Sequence, residues 1–249
     1  MISFKNIYPI LSGIEIGVPL NIISKITTDV NFPNTIITKE SILINFLLGF
    51  ITYKQDRYLD AQEYFNNFYN ISNPKHKYYI SLLDNEKIVQ LTLFCSYITI
   101  CTLCIFSSYD IKIILPLFTS TFLYKYFKKN NNLSFFKPFY VAIMWTICTN
   151  VIPLTFDNHD YSLNFLSFAP TFFNIFSLTN LADLKDYDED LKNNVNTLPI
   201  ILGKNKINKI ILLSSFISTF IFMNSEYYSN NFHNIFYICT NIFPLINLL

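Results

Sequence analysis

Runs of mostly apolar residues recur along this chain, each near the length an α-helix needs to cross a bilayer. A hydrocarbon core of about 30 Å takes roughly 20 helical residues. Runs of that size fall at 8–27, 38–54, 88–107, 109–126, 136–155, 161–181, 205–224 and 231–249. Glu15 and Lys25 interrupt the first. In lipid every backbone polar group must be paired inside the protein, so runs like these fold as helices. The expected fold is all-α: a polytopic membrane helical bundle of about eight transmembrane helices, with residues 1–249 forming one domain. No cleavage site of the signal-peptide kind follows Met1 to Asn6.

The basic residues support that count. Lys54, Arg57, Lys75, Lys77 and Lys87 follow the second run. Lys125, Lys128, Lys129 and Lys137 follow the fourth, and Lys185, Lys192, Lys204, Lys206 and Lys209 follow the sixth. All three loops come after even-numbered spans and so share one face, together with Lys5. The positive-inside rule places that face in the cytoplasm or its organellar equivalent. Net charge is +1, which gives no reason to expect nucleic acid. Cys95, Cys101, Cys104, Cys148 and Cys239 all lie in apolar runs, and Cys101-x-x-Cys104 reads as packing, not a redox or metal pair. Gly13-x-x-x-Gly17 reads as a helix-packing spacing.

Two carboxylate motifs stand out at the ends of spans. The sixth run ends in Asn180-Leu-Ala-Asp183-Leu-Lys-Asp186-Tyr-Asp-Glu-Asp190. Asp183, Asp186 and Asp190 have i, i+3, i+7 spacing, which on one helix forms a single stripe. Anions repel one another and oppose the dipole at a helix C-terminus, so the stripe is unfavourable without a cation. The alternative is a solvated acidic loop, with which Asp188 and Glu189 agree. The second run ends in Asp56 and Asp60, spaced i, i+4, with Tyr53 before them, Arg57 beside them and Glu63 after. Read alone, this is equally an ordinary charged cap. Lysine placement puts both motifs on one membrane face, and convergent carboxylates at the membrane boundary are functional candidates. Mg²⁺ is commonly held by one or two carboxylates plus substrate phosphates. Two such clusters suit a diphosphate, whose departure bound metal ions assist. The chain's 26 Phe and 17 Tyr are enough to line a site for an allylic cation.

These residues resemble the UbiA superfamily of intramembrane prenyltransferases. Asp183-x-x-Asp186-x-x-x-Asp190, followed by Thr197-Leu198-Pro199 and Gly203, is similar to the family's second aspartate motif and its trailing stretch, and Asn180 matches the polar residue before it. Asn194 stands where the family has Gly, and Asn tolerates a left-handed backbone. The first motif matches through Asp56, Arg57 and Asp60, while Thr52 and Tyr53 replace the family's Asn-Asp. Tyr124-x-x-x-Lys128-Lys129 resembles a segment whose polar side chains reach the diphosphate, and Lys75 and Lys77 stand in a loop that is basic in the family.

The resemblance implies a ring of helices, usually nine, around a central cavity. It implies Mg²⁺-dependent transfer of an isoprenyl chain from a prenyl diphosphate to a lipophilic, aromatic acceptor. Asp56, Asp60, Asp183, Asp186 and Asp190 are then metal ligands and catalytic residues. Tyr53, Arg57, Tyr124, Lys128, Lys129 and Asn180 bind the substrate. Three alternatives are an inactive protein of the same fold, a small transporter or structural membrane protein, and a CDP-alcohol phosphotransferase. The last needs glycines that the Asp183–Asp190 stretch lacks.

Overall fold

The computed structural model describes residues 4–31, 37–67, 75–106, 115–116, 119–121, 123–124, 127, 133–155, 165–192 and 194–224. Among them every regular element is helical. The described residues sort into two compact units, 1–21 with 39–122 and 22–38 with 123–249.

The first unit contains α1 (Phe4–Leu11), the first part of α2 (Ile14–Asn31), α3 (Lys39–Asn67), α4 (His76–Asp84) and α5 (Glu86–Phe106). The run expected as one span over 8–27 is divided between α1 and α2 by a break at Gly13, whose φ is +109°. Glu15 lies at the break, where its Oε2 accepts the Gly13 N–H at 3.0 Å. The first apolar run tolerates this carboxylate because it pairs a backbone donor freed at the break. Lys25 pairs with Asp29 at 2.7 Å one turn on. The Gly13-x-x-x-Gly17 expectation holds as packing: α2 lies against α3, and a Cβ on Gly17 would stand 2.8 Å from the Phe46 carbonyl oxygen. Gly49 presents the matching surface from α3, where a Cβ would meet the Gly17 Cα at 3.2 Å. Ala61, Tyr64, Tyr79, Leu82 and Val89 close the core between α3, α4 and α5.

The second unit holds the remainder of α2, a 3₁₀ turn Ser134–Phe136, α6 (Lys137–Thr146), a π-helical turn Ile147–Val151, α7 (Ile152–Thr155), α8 (Phe165–Lys185), α9 (Tyr187–Lys192), α10 (Leu198–Leu202) and α11 (Lys204–Met223). α8 packs against α6 and α11. Small residues carry its contact with α11: the Ser177 and Ser215 hydroxyls lie 2.7 Å apart, and Ser218 donates to the Pro170 carbonyl at 2.7 Å. Small polar residues at helix contacts let backbones approach and add interhelical hydrogen bonds in lipid. The π turn is satisfied in the same way, because Ser24 and Thr27 of α2 each donate to the Thr149 carbonyl at 3.2 Å.

Among the described residues, four helical segments are long and apolar enough to cross a membrane: Ile7–Asp29, Glu86–Phe106, Ser134–Leu154 and Lys204–Met223. They carry exposed apolar side chains, Leu91, Phe94 and Ile98 on α5 and Leu213, Phe216 and Phe220 on α11. Such surfaces suit lipid, and the chain is an integral membrane protein. The expected runs at 38–54 and 161–181 are long helices, α3 and α8, each continuing past its apolar run into a charged stretch. Most of 109–126 and all of 231–249 lie outside the described residues.

Two glycines are fixed by different physics. Gly17→Ala is expected to lose ~1–3 kcal/mol through forced separation of two backbones. Gly203 has open space around its Cβ position, yet its φ of +80° and ψ of 153° belong to a region that only glycine visits readily. Gly203→Ala is expected to lose ~1–3 kcal/mol through torsional strain alone. Denaturant unfolding in detergent checks both, and a neutral Gly17→Ala contradicts the close α2–α3 contact.

Candidate functional site

The second carboxylate motif lies in the second unit, and its shape departs from a single helical stripe. α8 ends at Lys185, Asp186 sits in a turn, and α9 begins at Tyr187. The near-helical path survives, since the Asp186 N–H reaches the Ala182 carbonyl at 3.3 Å and the Asp190 N–H the Asp186 carbonyl at 2.8 Å. The break relieves the conflict noted in the sequence, because three anions no longer share one uninterrupted helix C-terminus. It also separates their environments: Asp183 is buried at 3% exposure, Asp186 is exposed and Asp190 is half-buried.

Asp183 is paired with a residue outside both motifs. The Lys137 ammonium at the start of α6 lies 2.5 Å from Asp183 Oδ1. Lys137 entered the sequence reading only as one base of a loop. Its partner is 46 residues away, so no local spacing reveals the pair.

Asp190 is tied to the stretch that trails the motif. Asn194 adopts φ +54°, the left-handed conformation anticipated for it, and ends α9. Thr197 then leads into α10, with Pro199 in the first turn. The buried Thr197 hydroxyl donates to Asp190 Oδ2 at 3.3 Å. Burial and the neighbouring Asp183 charge push the Asp190 carboxyl up to about 6, against the opposing pull of Lys137 and Thr197. Asn180, one turn before Asp183, is fully buried; its amide donates to the Phe176 carbonyl at 2.8 Å. Its Oδ1 is buried with no hydrogen-bond partner among the described residues.

This donor set is all hard oxygen, which suits Mg²⁺ or a similar cation. Among the described residues no three His, Cys, Asp or Glu are gathered closely enough to hold a metal alone. Mg²⁺ can be held by one or two carboxylates, with water and substrate oxygens completing its shell. The buried Asn180 oxygen offers one further acceptor beside Asp183.

The first motif lies on α3, in the first unit. The Arg57 guanidinium stacks over the Tyr53 ring at 4.5 Å and donates to the Tyr53 hydroxyl. It also stands 4.0 Å from Asp60 Oδ2. Thr52 donates to the Leu48 carbonyl of its own helix at 2.8 Å. Both hydroxyls at the replaced positions are therefore engaged within α3. Asp56 is half-buried on the same helix. Lys54, counted above among the loop bases, is wholly buried. Its ammonium donates to the Ile10 and Ser12 carbonyls at 3.0 and 3.4 Å and lies over the Phe50 ring. It serves the carbonyl end of α1, where a cation is favourable.

Tyr124 belongs to the second unit. Its ring faces Tyr140 of α6 at 6.4 Å, and Phe127 stacks on the same ring at 4.4 Å. Lys128 and Lys129 lie outside the described residues.

No protein-family model and no curated protein matches the chain. Solved structures do. A UbiA homolog from Archaeoglobus fulgidus bound to GPP and Mg²⁺ aligns with a TM-score of 0.63 at 11% identity, covering 96% of this chain and 86% of that one. The same protein bound to DMAPP and Mg²⁺ gives 0.63 at 11% identity, over 96% and 85%. A third structure of it gives 0.61 at 12% identity over the same shares. Identities this low speak for architecture, and nearly the whole chain is included: the protein has the fold of the UbiA homologs.

Proposed function

We propose that this protein is a divergent UbiA-type prenyltransferase, transferring an isoprenyl chain from a prenyl diphosphate to a lipophilic, aromatic acceptor within the membrane. The observation that carries this is the conjunction of the UbiA fold with the Asp183–Asp190 motif, whose third carboxylate is held by Thr197 of the trailing stretch. The solved relatives bind GPP and DMAPP with Mg²⁺, the chemistry that a hard-oxygen cluster at a span's end suits.

In this proposal Asp183, Asp186 and Asp190 hold Mg²⁺, with Asp56 and Asp60 as the second set of ligands, and Asn180 adds a neutral oxygen. Bound Mg²⁺ neutralises charge on the departing diphosphate. Arg57, pre-oriented by Tyr53, and Lys128 and Lys129 supply fixed positive charge, and Tyr124 orients the head group. Tyr140, against which Tyr124 and Phe127 both stack, is a positioning residue for Tyr124. Apolar walls exclude water from the allylic cation, and aromatic faces stabilise it. The lysine-rich loops support placing both motifs on the cytoplasmic face, and residues 1–249 act as one catalytic domain.

A second reading, a UbiA-fold protein that binds the diphosphate without turnover, draws on Thr52 and Tyr53, whose hydroxyls are spent inside α3.

Titration of the detergent-purified protein with geranyl diphosphate separates these readings. The wild type is expected to bind only with millimolar Mg²⁺, and Asp186→Ala and Asp56→Ala to weaken binding by ~10-fold or more. No binding by the wild type, or unchanged binding by both variants, defeats the proposal. Binding without diphosphate release in the presence of ring acceptors favours the second reading.

The raised carboxyl of Asp190 gives a pH signature. Metal binding needs the carboxylate, so a pKa near 6 makes the Mg²⁺-dependent part of the affinity rise by roughly fourfold between pH 5.5 and 7.5. Asp190→Asn removes that part, and subtracting its profile cancels the titration of the diphosphate itself. Without metal, stability runs the other way. A carboxyl raised above its unfolded value of about 3.9 binds more protons in the folded state, so stability falls as pH rises through about 4 to 6. Thermal melts across that window, with and without Asp190→Asn, check the sign.

A further inference from the structure

Lys137 occupies an electrostatically poor position in its own helix. It is the first residue of α6, where the backbone dipole already presents positive charge. Its side chain is 19% exposed and that of Asp183 only 4%, so both ions have left most of their water. Burying such a pair recovers little net stability over an apolar contact of similar volume. Packing alone therefore gives weak reason for the arrangement. The influence of Lys137 also reaches past Asp183: it lowers the Asp190 carboxyl, while Asp183 and Asp186 raise it. One ammonium thus acts on two of the three carboxylates, Asp183 and Asp190.

A divalent cation held by those carboxylates and the Lys137 ammonium need the same oxygen. Asp183 Oδ1 lies at full hydrogen-bond contact with Nζ, and a metal at that oxygen excludes the ammonium from it. Lysine is suited to exchange, being a point charge on a flexible stem with three donors, free of the fixed planar geometry of arginine.

We propose that Lys137 is the resident counter-cation of the Asp183 cluster. It holds Asp183 while no substrate is bound, yields that carboxylate when Mg²⁺ arrives with the diphosphate, and donates its released N–H groups to diphosphate oxygens. Lys137 is thereby a substrate-binding residue and the element that couples metal binding to diphosphate binding. Metal alone must displace an ammonium, whereas metal accompanied by a diphosphate gives that ammonium a new anion. The inference rests on the prenyl diphosphate reading above and adds a residue and an order of events to it.

The test uses Lys137→Met and Lys137→Gln in the full-length protein, with Mg²⁺ alone, geranyl diphosphate alone and both together. Both substitutions remove the ammonium that lies on Asp183 Oδ1, so both variants are expected to bind Mg²⁺ alone ~10-fold more tightly than wild type. Adding geranyl diphosphate is expected to tighten Mg²⁺ binding in the wild type and to do so far less in the variants. Both variants are expected to melt at lower temperature without metal, and Mg²⁺ should close most of that gap. Lys137→Arg, which keeps the charge, should retain the wild-type melting temperature. Unchanged or weaker Mg²⁺ affinity in the variants, or a melting deficit that Mg²⁺ leaves intact, overturns the exchange and leaves Lys137 a structural ion pair. If Lys137→Met does not fold, Lys137→Gln, which still hydrogen-bonds a carboxylate, carries the affinity comparison. Wild-type protein that binds neither ligand defeats the prenyltransferase reading, and this inference falls with it. Wild-type binding with unaltered variants defeats the inference alone.

Discussion

A backbone surrounded by lipid has no water to hydrogen-bond, and the rest of this structure follows from that constraint. The long helices α5 and α8 are apolar or weakly polar between their ends, whereas α3 runs on into a charged stretch. Several departures from regularity are met by side chains. At the Gly13 break, Glu15 takes a free N–H and Lys54 takes the carbonyls of Ile10 and Ser12. At the π turn, Ser24 and Thr27 take the Thr149 carbonyl. At the Asp186 turn the chain leaves α8, and the carboxylates begin. The last break is the one whose polar groups exceed what the backbone needs, which is a physical reason to place chemistry there.

The helices were legible because hydropathy acts over short stretches. The runs that became α5, α8 and α11 could be placed to within a few residues, as could the start of α3, which continues to Asn67. Asn194 and Thr197 were legible too, since left-handed tolerance and the residues leading into a helix are local properties. Charge pairing across the fold was not. Lys137 and Lys54 both looked like ordinary bases at span ends. The structure buries one against Asp183 and the other against the end of α1. Lysine is nearly always solvated, so position in a loop predicts exposure until a distant partner is known. The single aspartate stripe failed for a related reason: spacing assumes an uninterrupted helix, and mutual repulsion favours a break at Asp186.

The two motifs differ in how much of their chemistry is prepared. Around Asp183 and Asp190 stand a counter-ion, a hydroxyl donor and a buried amide oxygen, each from a separate element of its unit. On α3, Arg57 is braced between Tyr53 and Asp60. The positions that would add an amide and a carboxylate instead hold Thr52 and Tyr53. Under the proposed function, that replacement leaves more of the metal binding to Asp183, Asp186 and Asp190. The second motif also has a largely buried cation, Lys137, against one of its carboxylates.

Metal–phosphorus proximity at that cluster tests the account most directly. With Mn²⁺ in place of Mg²⁺ and geranyl diphosphate bound, pulsed electron–nuclear spectroscopy reads the coupling between the metal and the diphosphate phosphorus. The account predicts phosphorus coupling in the wild-type protein and its loss in Asp183→Asn and Asp186→Asn. Bound Mn²⁺ without phosphorus coupling, or coupling that survives both substitutions, would contradict it.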